Sequence, residues 1–122
     1  MIVKNIYQAE THKEAAHGGS GEALNALIFD GEMFESCLEF VIYTELEPGA
    51  GIGYHTHGED EEVYLVLEGQ GCMTVNGETR QVQKGDVILN RPGWSHGLEN
   101  DGPEVLKIFV FEAKKAGADH GC

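Results

Sequence analysis

Histidine spacing carries the chemistry in this sequence. His55 and His57 lie two apart in Gly53-Tyr54-His55-Thr56-His57, and residues i and i+2 of a strand point to the same face. Two imidazoles therefore converge on one side of a sheet. Glu62 opens the next strand, and the short connection 58–61 returns it beside them. His96 follows the tight turn Pro92-Gly93-Trp94-Ser95 into a further strand. Three neutral imidazoles and one carboxylate suit a divalent first-row transition metal, and they leave positions open for water or substrate. Taken alone, a His-x-His pair is weak evidence, because two histidines near a loop are more often simply exposed. Glu59, Asp60 and Glu61 read as a solvated acidic loop. Glu62 differs, because it directly precedes the apolar run 63–67, where an inward carboxylate is costly unless paired or coordinated.

The elements that must position these groups are strands. Strand-like runs occupy residues 26–29, 37–44, 54–57, 62–67, 72–75, 79–83, 87–90, 96–98 and 105–112. Glycine-bearing turns separate them at the spacing of an all-β sandwich or barrel. Asn76-Gly77 between two such runs is a two-residue hairpin signal of type I′. No helix-period segment is long enough to cross over between parallel strands. Residues 20–27 suggest at most one helical turn, and the alternation of Ile2, Val3, Ile6 and Tyr7 suggests an N-terminal strand on a sheet edge. The expectation is one domain over 1–122, with a core at about 25–113, an arm or edge strand over 1–20 and a frayed tail over 114–122.

Composition removes several function classes. The chain has 122 residues, 21 Asp+Glu against 8 Lys+Arg and a formal charge of −13. Nucleic-acid binding needs clustered basic residues, and an anionic lipid surface would repel such a chain. With 41% apolar residues it is not a disordered acidic segment. No run reaches the length of a membrane span, and the N-terminus lacks a signal-peptide pattern. Cys37, Cys72 and Cys122 are odd in number and form no CxxC, so neither a disulfide framework nor a cysteine zinc site is expected. Cys37 and Cys72 read as small core residues and Cys122 as a terminal thiol. The expected location is cytoplasmic.

Two apolar runs break strand alternation. Val63-Tyr64-Leu65-Val66-Leu67 is apolar on both faces and Phe40-Val41-Ile42-Tyr43 is nearly so. A half-solvated strand alternates, so the outer faces are expected to be covered by the N-terminal residues or by a second subunit. A homodimer is the expectation.

The constellation resembles the cupin family. Gly49, His55, His57, Glu62 and Gly69 fall on the first cupin motif, and Gly85, Gly93, His96 and Asn100 fall on the second. Arg91 stands where the second motif has its first proline, with Pro92 beside it. The resemblance covers residues 49–100. It implies a double-stranded β-helix, a jelly-roll-like barrel of two antiparallel sheets. It also implies one metal held inside the barrel by His55, His57, Glu62 and His96. Fe, Mn, Ni, Cu, Co and Zn all occur in such proteins and are not distinguished here.

Other residues are weaker candidates. Tyr64 shares the face of Glu62 and is either a donor to a ligand or a core tyrosine. His17, in a glycine-rich segment, either folds over the barrel mouth or faces solvent; Trp94 either lines the pocket or packs outside. His12 and His120 read as surface residues. The functional expectation is a metalloenzyme acting on a small polar or oxygenated metabolite, of dioxygenase, isomerase, decarboxylase or lyase type. The alternative is a non-catalytic binder or sensor of a small molecule such as a sugar.

Overall fold

Alternating apolar residues fold into ten strands among residues 1–117, the part of the chain that the computed structural model describes. They are β1 (His12–Glu14), β2 (Ala23–Asp30), β3 (Leu38–Leu46), β4 (Gly51–Thr56), β5 (Asp60–Glu68), β6 (Gln70–Val75), β7 (Glu78–Gln83), β8 (Val87–Asn90), β9 (Ser95–Glu99) and β10 (Leu106–Lys114). Helix among the described residues is limited to two 3-10 turns, Ala16–Gly18 and Gly31–Met33. One sheet has the order β1-β2-β3-β10-β5-β8 and the other β4-β9-β6-β7. Every pairing is antiparallel. The chain passes back and forth between the two sheets, giving the expected all-β, jelly-roll-like barrel.

The core fills the space between the sheets. Leu46, Val66, Ile108 and Val110 project from one sheet, and Ile52, Met73, Val82 and Leu98 from the other, all buried. Burial of side chains of this size stabilises by roughly 1.5–3 kcal/mol each. Among the described residues no helix is long and apolar enough to cross a membrane.

Corners are set by backbone conformation. Gly49, Gly69, Gly85 and Gly93 all adopt positive φ, a region that side chains with a Cβ resist. Asn76 and Gly77 have φ of 48° and 78° between β6 and β7, as a type I′ hairpin requires. Asn100, 1% exposed, ties two corners together. Its Nδ2 donates to the Leu46 and Glu104 carbonyls, and its backbone carbonyl accepts from Gly49 N–H.

Several expectations are corrected. The N-terminal strand lies at His12–Glu14, on the edge of β2, and not at the apolar residues before it. Ile6 and Ala9 instead pack over the outer face of the six-stranded sheet, against Ala26, Ile28 and Tyr43. Tyr7 meets Tyr43 edge-on with ring centres 5.6 Å apart. Residues 20–27 contain no helical turn, because Ala23 and Ala26 alternate into two buried clusters as part of β2. Cys37 precedes β3 and is disulfide-bonded, not a core thiol, whereas Cys72 is free and half-buried. The readings of His120 and Cys122 lie outside the described residues, as does most of the tail.

The described residues leave one apolar half of the larger sheet's outer face uncovered. Phe111, Val63 and Leu89 form one row across β10, β5 and β8, and Phe109, Leu65 and Val87 form the next. Val87 is 66% exposed and Leu89 45%.

Candidate metal centre

A bulge brings the His-x-His pair into place. Between β4 and β9, Ile52 pairs with Leu98 and His55 pairs with His96, so β4 spends one residue more than its partner. The extra residue reverses the strand's parity. Ile52 and His55 therefore both face inward although they are three apart, and His57 follows His55. Glu62 points in from β5, and His96 is fully buried on β9.

Four atoms converge. The Nε2 atoms of His57 and His96 are 2.8 Å apart, and those of His96 and His55 are 3.1 Å apart. Glu62 Oε1 lies 3.3 Å from His57 Nε2 and 3.2 Å from His96 Nε2. The second edges of two rings fix their tautomers. His55 Nδ1 is 2.7 Å from the Gly53 carbonyl, which only accepts, so Nδ1 carries the proton and Nε2 presents a lone pair. His57 Nδ1 likewise donates to Asp60 Oδ1 at 2.9 Å. Burial holds the His55 imidazolium form down, with the neighbouring histidines acting in the same direction and the Gly53 hydrogen bond opposing. Neutral imidazoles are what a metal needs.

The donor set fits a cation. Two lone-pair nitrogens and a carboxylate face His96 Nε2, which carries at most one proton, and Glu62 Oε1 is buried with no hydrogen-bond partner. Such a cluster is repulsive without positive charge at its centre. Spacings of 2.8 to 3.3 Å among these atoms are those of donors that would share one small cation. The donor atoms of His55, His57, Glu62 and His96 all lie within 4.8 Å of one another.

The weaker candidates divide. Tyr64 is buried beside Glu62; burial first and the carboxylate second push its pKa well up, so the phenol keeps its proton. His17 stacks on the His55 ring at 3.6 Å and 10° while itself remaining exposed, so it has features of both readings. It has a left-handed φ of 50°. Trp94 is 37% exposed, with the Arg91 guanidinium 5.9 Å over its ring. Arg91, the departure from the motif, thus serves the surface.

Two acids escaped the sequence reading. Asp60 is not a solvated loop residue but the partner of His57. Glu112, 7% exposed on β10, puts Oε1 3.3 Å from His57 Nδ1. Burial, followed by the charges of Glu62, Asp60 and Glu39, pushes its pKa up to about 8. Strand parity held the signal: Glu112 follows the inward Ile108 and Val110 at steps of two.

Comparison with known proteins points the same way. A sequence profile of the cupin domain matches residues 42–112. An oxalate-binding protein of Thermotoga maritima is 33% identical over 110 residues, spanning 90% of this chain and 91% of that protein. A glucose-6-phosphate isomerase of Pyrococcus abyssi is 34% identical over 73 residues, 56% of this chain but only 39% of the isomerase. Among solved structures, a protein described as a predicted oxalate decarboxylase from Thermotoga maritima superposes with a TM-score of 0.89 at 26% identity, covering 92% of this chain and 98% of that one. A polyketide cyclase from Streptomyces resistomycificus shares the fold, with a TM-score of 0.77 at 21% identity over 93% of this chain and 79% of its own.

Proposed function

The chain belongs to the cupin family, and on that footing we propose that it is a metal-dependent enzyme acting on a small oxygenated metabolite. His55, His57, Glu62 and His96 hold one divalent transition metal in this reading. The observation that carries it is the convergence of three Nε2 atoms and Glu62 Oε1. The bound cation would supply Lewis-acid polarisation of substrate oxygens. The chain supplies the rest. Gly53 O, Asp60 and Glu112 orient two of the rings, and Tyr64 lies buried beside Glu62 as a protonated phenol.

Elemental analysis of protein purified without chelator tests the site. The expected result is about one metal per chain, lost in His96→Ala. Metal well below that level in the wild type, or an unchanged His96→Ala, overturns the assignment. Turnover or oxygen uptake against oxalate, 2-oxo acids and diketones tests catalysis. A second reading, a non-catalytic small-molecule binder, is favoured by the name of the oxalate-binding relative. Ligand-induced melting shifts without turnover across that panel would select it.

Homodimerisation is part of the proposal. The N-terminal residues cover only the β2–β3 side of the large sheet, leaving the Phe109–Phe111, Val63–Leu65 and Val87–Leu89 rows for a second copy. A cytoplasmic site of action is also proposed; the free Cys72 fits it and the disulfide at Cys37 does not. Cell fractionation decides that point.

A further inference from the structure

Beside the cluster, a cavity of about 260 Å³ runs beneath the N-terminal arm. Small-molecule pockets commonly span about 300–1,000 Å³, so this one suits a compact metabolite. It meets the metal cluster at Glu62 and Tyr64, and Phe40, Ile42, Ile52 and Val110 form apolar walls. Its remaining polar groups are Thr44, Asn25 and the arm residues Glu14 and His17. Thr44 is 3% exposed and donates to Asn25 Oδ1 at 2.6 Å. Asn25 Nδ2 then donates to Glu14 Oε1 at 2.6 Å. This chain of hydrogen bonds fixes the amide and holds the Glu14 carboxylate at the cavity rim.

Lysine and arginine are missing from that lining, and all 8 Lys and Arg of the chain are placed elsewhere. Lys4 and Lys107 lie over the rings of Phe29 and Tyr7, and Arg91 over Trp94. Lys84 pairs with Glu68, and Arg80 borders a different cavity. Lys13 is next to Glu14 in β1, so alternation turns it to the opposite side. Lys114 and Lys115 are exposed at the end of β10. A ligand charge next to the cluster meets a bound cation. A second negative charge at the far end would meet the Glu14 carboxylate at the exposed rim, with no lysine or arginine beside it.

We propose that this pocket takes compact chelating ligands whose negative charge is confined to the oxygens at the cluster, with an uncharged remainder against the Phe40–Ile42–Val110 wall. Phosphate esters and acids with a distal carboxylate are rejected, and Glu14 is the residue that rejects them. The inference rests on the metal-binding reading above.

The test compares two ligands with the same chelating head and carbon count. Calorimetric titration of the Co²⁺-loaded protein with 2-oxovalerate and with 2-oxoglutarate is expected to show the first binding at least about tenfold more tightly. Glu14→Gln is expected to narrow the ratio. Equal or tighter binding of 2-oxoglutarate overturns the proposal, as does failure of 2-oxovalerate to bind a protein carrying its full metal. An unchanged ratio in Glu14→Gln overturns the role of Glu14. A protein that takes up no Co²⁺ in the preceding metal titration overturns the metal reading itself, and this inference with it.

Discussion

Glu112 Oε1 stands 3.3 Å from His57 Nδ1, and Asp60 Oδ1 stands 2.9 Å from the same nitrogen, while Nε2 of that ring faces the cluster. Acids on the far edge of a ligating histidine fix its tautomer and raise its basicity, and removing them typically costs 10–100-fold in metal affinity. Asp60→Ala combined with Glu112→Ala is therefore expected to weaken Co²⁺ binding by about that factor. Glu112→Gln keeps an acceptor near Nδ1 and should lose far less. Competition against a chromophoric chelator measures both. Equal affinity of the double variant and wild type would show that the acids do not serve His57.

The same Glu112 makes the metal-free protein pH-sensitive. Its carboxyl titrates at about 8 in the fold against an ordinary value of 4.5, chiefly because it is buried and then because Glu62, Asp60 and Glu39 repel its charge. Between those values the folded chain binds more protons at this site than the unfolded chain. Stability is therefore complete below the lower value and falls as pH rises through the upper one. The urea midpoint of chelator-treated wild type is expected to drop across about pH 5 to 9 relative to Glu112→Gln. A constant difference between the two across that range would refute the assignment.

Much of the site was legible because strand parity is a short-range property. His55 and His57 are two apart, Glu62 leads its strand, and the four corner glycines and Asn76-Gly77 sit where positive φ is needed. Less visible were relationships that depend on register between distant strands. Glu112 comes opposite Glu62, and Asn25 opposite Thr44, only once β10, β5, β2 and β3 are paired. The β4 bulge also reverses parity between Ile52 and His55 without any composition signal beyond Gly53. The arm misled for a related reason. Its apolar residues cover a sheet face, and its actual strand is the polar segment His-Lys-Glu.

Gly53 lets the arm reach the site. A Cβ at this residue would come within 2.1 Å of the His17 carbonyl oxygen and 2.9 Å of Gly19 N. Both are backbone atoms, so the arm itself must move. Gly53→Ala is expected to detach residues 15–19, lifting His17 from His55, while the barrel stays folded. Hydrogen exchange should speed up in that segment alone, with a stability loss of about 1–3 kcal/mol. Unchanged exchange there would mean that the arm is held by other contacts.

Asn100 is expected to be structural despite lying four residues beyond His96 in the motif. Its amide serves the Leu46 and Glu104 carbonyls and accepts from Gly102 N–H, in a site that is 1% exposed. Truncation leaves these backbone groups without their side-chain partner. Asn100→Ala should cost roughly 2–4 kcal/mol in urea unfolding while metal stoichiometry in the folded fraction stays unchanged. Loss of metal at full stability would contradict this division of roles.

The uncovered apolar rows make the strongest statement about assembly. Val87 and Leu89 are on β8, the edge strand of the larger sheet, 66% and 45% exposed, beside Leu65 and Val63 in register. Charges placed there would meet solvent in a monomer but would be buried in a dimer packed through this face. Removing one such charge from water costs several kcal/mol, more than a modest interface can offset. Val87→Lys combined with Leu89→Lys should therefore convert a dimer to a monomer with little change in the unfolding midpoint of the isolated subunit. Light scattering at micromolar protein reads the mass directly. A wild-type monomer, or a variant that remains dimeric, would place any interface elsewhere.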